Sequence, residues 1–121
     1  MSCYFQVADD EVWNPSNAVA QLFLSEAVSL ARLIGTASGL GKITEDECEI
    51  DPDQFAAFVD ALISTYQSTN NTVLRSLLRG FIPVALALVE RTGKKTPSMQ
   101  PEYADAWARE AEVLSHSMPR G

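Results

Sequence analysis

Histidine and cysteine are scarce in this 121-residue chain: His116 is the only histidine, and Cys3 and Cys48 are the only cysteines. That scarcity excludes most metal and nucleophile chemistry. A zinc site needs several His or Cys ligands at close spacing, and neither a CxxC nor an HExxH pattern occurs. A histidine-based triad would rest on His116 alone. It sits at the end of the last helical segment, where a cation suits the helix dipole without any catalytic role. No catalytic residue, metal or cofactor is therefore expected. Basic charge is also short, with Lys+Arg 9 against Asp+Glu 16 and a net charge of −7. Such a chain repels nucleic-acid phosphates and anionic membranes, so neither is an expected partner. A long apolar run is missing too. The greasiest segment, Gly80 to Val89, is about ten residues, against roughly 20 for a bilayer span. The start, MSCYFQVADDE, has neither the basic nor the apolar region of an export signal. The expectation is a cytoplasmic protein with reduced thiols.

What is present belongs to a folded chain. At 46% hydrophobic and 21% charged residues the composition can support a core. The length fits one domain, with residues 1–93 as the core and 94–121 as a connector and C-terminal helix. The organising stretch is Asn71 to Thr92, NTVLRSLLRGFIPVALALVERT. Its second half is apolar on every side, which places it in the interior. Pro83 lacks an N–H, and with Gly80 nearby a kink or break is expected there.

The other segments supply its coat. Cys3 to Val7 alternates like a strand, and Glu11 to Trp13 reads as its hairpin partner across Ala8-Asp9-Asp10. Asn14-Pro15 carries a helix-start signal. The helix is expected to run to Ile34, burying Val19, Leu22, Phe23, Ala27, Leu30 and Ile34, and to end at Gly35. The loop TASGLGK, residues 36–42, reads as a chain reversal rather than an anion cradle, because its glycine spacing fits no phosphate signature. A third short strand is expected near Glu47–Ile50, and Asp51-Pro52 starts a helix to about Gln67. After the central helix comes a polar connector, Lys94 to Gln100, and then a helix from Pro101 to about Ser117. The fold class is α+β and mostly helical: a small N-terminal β-hairpin, extended to three short strands, on three to four helices around the central one.

Candidate binding residues follow from charge. Glu45, Asp46, Glu47, Glu49, Asp51 and Asp53 crowd one short stretch. Asp51 and Asp53 suit a helix N-terminus. The calcium-loop order of ligands, glycine and distal glutamate is missing. The reading carried forward is a docking face for a basic protein partner, formed by Glu45, Asp46, Glu47, Glu49 and Asp53, with Trp107 as a large anchor on the last helix. In its specific form this is a non-enzymatic, immunity-like acidic protein that sequesters a basic partner. The alternative is a small-molecule pocket between hairpin and central helix, lined by Trp13 and by Arg75 and Arg79, which lie one turn apart and could hold an anion. A homodimer through the C-terminal helix is the third expectation.

At WNPSN, residues 13–17, and DECEIDPDQFAAFVDAL, residues 46–62, the chain resembles a family of small, stand-alone actinobacterial proteins of uncharacterised function. The likeness covers Tyr4 to about Arg91. It implies a bacterial cytosolic setting and brings no reaction, cofactor or catalytic residue with it.

Overall fold

Short-range sequence signals set most of the elements. In the computed structural model, which describes residues 1–95 and 99–120, two strands come first: β1, Tyr4–Val7, and β2, Asp10–Trp13. They pair antiparallel, with Phe5 opposite Trp13 and Gln6 opposite Glu11, and the register shifts between Phe5 and Gln6. The two-residue turn between them puts Ala8 at φ 54, a left-handed conformation more usual for glycine. A long helix, α1, spans Asn17–Ile34, and the chain then returns to lay β3, Glu47–Glu49, parallel to β1. The sheet order is β2-β1-β3. Parallel pairing requires such a crossover, and α1 provides it.

The remaining helices are α2, Pro52–Ser68, α3, Thr72–Arg91, and α4, Pro101–Ser115. Asp51 caps α2 by accepting from the Gln54 amide, with Pro52 at the first helical position. Asn71 caps α3 in the same way through the Leu74 amide. Residues 96–98 of the expected connector lie outside the described residues.

α3 is the core helix. Leu78, Ile82, Ala85, Leu88 and Val89 are fully shut from solvent. Aromatic contacts tie it to the sheet: Phe81 stacks on Phe23 with ring centroids 4.8 Å apart, and Phe23 meets Trp13 edge-on at 5.2 Å. No break occurs at Gly80–Pro83; α3 runs on through the buried proline. Tertiary packing around Pro83 outweighs its local helix cost. By length and hydropathy, 1.7 over its most apolar window, α3 is also the one described helix that could cross a bilayer, although half of that window is buried inside the fold.

Two expectations for α1 are corrected. Its N-cap is Ser16, not Asn14. Asn14 and Pro15 are held extended instead: the Asn14 amide donates to the Pro119 carbonyl, and the Cys3 amide donates to the Pro15 carbonyl. The buried stripe is Ala20, Phe23 and Ala27, whereas Val19 and Leu22 are exposed. Leu30 and Ile34 are half-buried. Phe23 anchors this face through Trp13 and Phe81, and Val19 and Leu22 turn outward on the adjoining face.

Candidate partner-binding site

The outer face of the sheet is built from alternate residues. On β3, Cys48 is buried, so Glu47 and Glu49 both point to solvent. Parallel pairing sets Gln6 of β1 beside Glu49, and antiparallel pairing sets Glu11 of β2 on its other side. The Gln6 side-chain amide donates to Glu47 Oε2 at 3.1 Å and to Glu49 Oε1 at 2.6 Å. One neutral amide thus holds two like charges side by side without cancelling either.

Ahead of β3, Glu45 and Asp46 form a tight turn, with reciprocal backbone hydrogen bonds between Thr44 and Glu47. Both are left-handed, φ 53 and φ 64. That is a type I′ turn, where Asn-Gly is the comfortable pair and larger side chains are strained. Asp9, Asp10 and Glu11 are exposed at the far end of the hairpin. Sequence reasoning missed these three, because only the pairing of β1 with β3 places residues 9–11 and 45–49 on one small sheet. Among the described residues the one ion pair is Lys94 with Asp53, which is well exposed at the start of α2. The carboxylates of the sheet and its turns have no cation paired to them there. No cluster of His, Cys, Asp and Glu among the described residues could hold a metal ion.

The other candidate residues lie elsewhere. Trp107, expected as an anchor at the partner surface, is only 5% exposed and packs edge-on against Tyr66 at 4.7 Å. It joins α4 to α2 and is not available to a partner. Trp13 does line a cavity of about 260 Å³ between β2, α1, α3 and the end of α4, together with Leu22, Phe23, Glu26, Gly80 and Leu114. Arg75 and Arg79 are not part of it. The Arg75 Nε donates to the Tyr66 carbonyl at 3.1 Å, the Arg79 guanidinium donates to the Tyr66 hydroxyl at 2.9 Å, and Arg75 also lies over the Tyr66 ring. That hydroxyl contact raises the Arg79 pKa. Both arginines are engaged with one tyrosine.

The glycine loop closes on α2. A Cβ at Gly39 would sit 2.6 Å from the Phe55 backbone nitrogen, so the chain approaches too closely for any side chain. Gly39 also has φ 79, and its carbonyl accepts from the Asp51 amide. His116 lines a polar cleft of about 630 Å³ with Glu90, Arg91, Glu112 and Arg120. Arg91 is spent there on structure: it donates to the Val12 carbonyl and to both the carbonyl and hydroxyl of Ser115. Burial, and to a lesser extent Arg120, pull its pKa down. Cys3 and Cys48 are free buried thiols, and burial, followed by the neighbouring Cys3, pushes Cys48 up to about 12.

Fold and site together define a small α+β protein with an acidic sheet face. A family profile described as "Family of unknown function (DUF6086)" matches residues 1–120, and the chain belongs to that family. No curated protein and no solved structure matches it.

Proposed function

We propose that this is a non-enzymatic binding protein whose sheet face and adjoining turns, Glu45, Asp46, Glu47 and Glu49 with Glu11 and the hairpin-turn Asp9, dock a basic protein partner. The observation that carries this is the uncompensated charge: like-charged side chains are held together by Gln6, without paired cations among the described residues. Repulsion within such a cluster is relieved when cations arrive from outside, and its field speeds their encounter. The strained backbone at Glu45 and Asp46 points the same way, since two acids occupy a turn that favours other residues. Asp53, in the first turn of α2, already has Lys94. The specific form of the reading is sequestration of a basic protein, as immunity proteins do, by a stand-alone protein of the actinobacterial cytoplasm.

The test is affinity capture from the native host at endogenous level, beside a variant carrying Glu45→Gln, Glu47→Gln and Glu49→Gln. A basic protein retained by the native chain and lost by the variant is the expected result. Recovery of the chain alone in both would overturn the reading.

The pocket reading has a cavity beside Trp13 in its favour. The charge lining that cavity is Glu26, while Arg75 and Arg79 are engaged elsewhere, so an anionic ligand has no support there. The homodimer reading through α4 meets a similar difficulty. Trp107 and Ala111 turn inward, and Glu102, Asp105, Arg109 and Glu112 face outward around the exposed Val113.

A further inference from the structure

The face of α1 that the fold leaves open runs beside an open face of α3. Contacts fix how the two helices lie. Phe23 stacks on Phe81; Val19, Leu22 and Glu26 share a hollow with Gly80 and Val84, which the end of α4 also lines through Leu114; and Glu26, Ser29 and Leu30 share the next hollow with Leu77. Moving up α1 therefore means moving down α3. Leu33 on α1 and Val73 on α3 lie one turn further along in the same two directions. The result is an antiparallel groove with apolar walls. Leu22 is 62% exposed, Leu33 58%, Val73 68% and Leu77 72%. Scattered exposed leucines need no explanation, but a row on two facing helices marks an interaction surface. From Val73 to Val84 the groove is about 16 Å long at 1.5 Å per residue, or three helical turns.

Gly80 supplies an independent observation. It lies well inside a 20-residue helix, is exposed, and a Cβ there would meet nothing within 4 Å. Nothing inside the fold requires a glycine at this position, and glycine weakens a helix. A bare position on a groove wall lets another chain approach the helix backbone. The charge is equally specific: Glu26 is the one ionisable side chain lining both hollows, and it stands between Leu22 and Leu33.

We propose that this groove binds an amphipathic helical segment of a partner protein, with apolar residues at helical spacing and a lysine or arginine in the middle of that apolar face. The apolar residues fill the walls, the cation meets Glu26, and the backbones come together at Gly80. A second copy of this chain is a poorer occupant. It would bring its own Glu26 to the seam and add a charge of −7 to an equal one. The groove shares no residue with the sheet face, so the inference stands apart from the docking surface proposed above.

The experiment uses the full chain and two fluorescent peptides of about fifteen residues, enough to fill the groove. Both carry leucine and alanine on one helical face and differ only in a lysine or a glutamate at its centre. Anisotropy titrations are expected to show the lysine peptide binding the native chain at least about tenfold tighter than the glutamate peptide. Glu26→Lys should reverse that preference. Glu49→Lys makes the same change in net charge on the sheet face and should leave the preference in place. Gly80→Leu should weaken both peptides, and Leu77→Gln provides a second test of the wall should Gly80→Leu fail to fold. Equal responses to Glu26→Lys and Glu49→Lys would reduce the effect to net charge and overturn the proposal, as would indifference to both wall variants. A dimer in sedimentation that Leu77→Gln converts to monomer would overturn it in favour of a second copy.

Discussion

Replacing Gly80 with alanine should make the protein more stable. The position is inside α3, between its Asn71 cap and its end at Arg91, and Gly80 is not among the residues with positive φ. The backbone is therefore already one that alanine prefers. An added Cβ meets no atom within 4 Å, so no packing penalty offsets the gain. The helix-propensity difference is about 1 kcal/mol, part of it from the smaller entropy of the unfolded chain. For a chain of this size that corresponds to a rise in Tm of roughly 3–6 °C. Thermal and urea unfolding followed by circular dichroism would measure it. The urea slope should stay constant, since the same surface is exposed on unfolding. Gly39→Ala is the control. There a Cβ would press into the Phe55 backbone nitrogen at φ 79, and about 2–4 kcal/mol should be lost. A neutral or destabilising Gly80→Ala would refute the claim that α3 is open at this point and that its glycine serves something outside the fold.

Three further outcomes follow. Glu45→Asn with Asp46→Gly should relieve two left-handed side chains and add about 1–2 kcal/mol in urea unfolding, while removing charge from the docking face and slowing capture of a basic partner. Arg91→Met should cost about 2–3 kcal/mol, because the Val12 and Ser115 carbonyls lose a charged donor in a half-buried place. Cys48 has a folded pKa of about 12 against an ordinary 9.0, so the folded state holds its proton more tightly. Its contribution is constant below pH 9 and declines as pH rises from 9 towards 12. The stability difference between the native chain and Cys48→Ala should shrink over that range, and a disulfide reagent at pH 8 should label the thiol only after unfolding.

Punctuation in the sequence located most of the elements. Asp51-Pro52 starts α2, Asn71 caps α3, Gly35 ends α1, and the alternation around Cys48 marks β3. Asn14-Pro15 carried the same signal as Asp51-Pro52 and did not start a helix, because long-range backbone bonds to Pro119 and Cys3 claim that segment. The choice of buried face on α1 was illegible for another reason. Val19 and Leu22 on one face compete with Ala20, Phe23 and Ala27 on the next, and helical period alone cannot rank them. The contacts of Phe23 with Trp13 and Phe81 decide it, and those depend on the neighbours. The same limit applies to the site. Glu45 to Glu49 could be read along the chain, but Glu11 joins the face only through strand pairing, and Trp107 leaves it only through Tyr66.

Places where local rules are broken without a return inside the fold remain to be explained. Two acids sit in a left-handed turn, a glycine lies in the middle of a helix in open space, and a row of leucines and valines faces solvent across a groove. Each costs stability in the isolated chain, and packing explains none of them. By contrast, Gly39 is fully accounted for by its contact with Phe55, and Arg91 by the carbonyls it joins. The unexplained features fall on two surfaces, one charged and one apolar, with no residue in common. A single partner that spans both must present a basic patch and an amphipathic helix in fixed relation. In that case, variants at Glu49 and Leu77 should lower its affinity by factors that multiply. Two separate partners would each respond to one variant only, and that comparison decides how many proteins this chain binds.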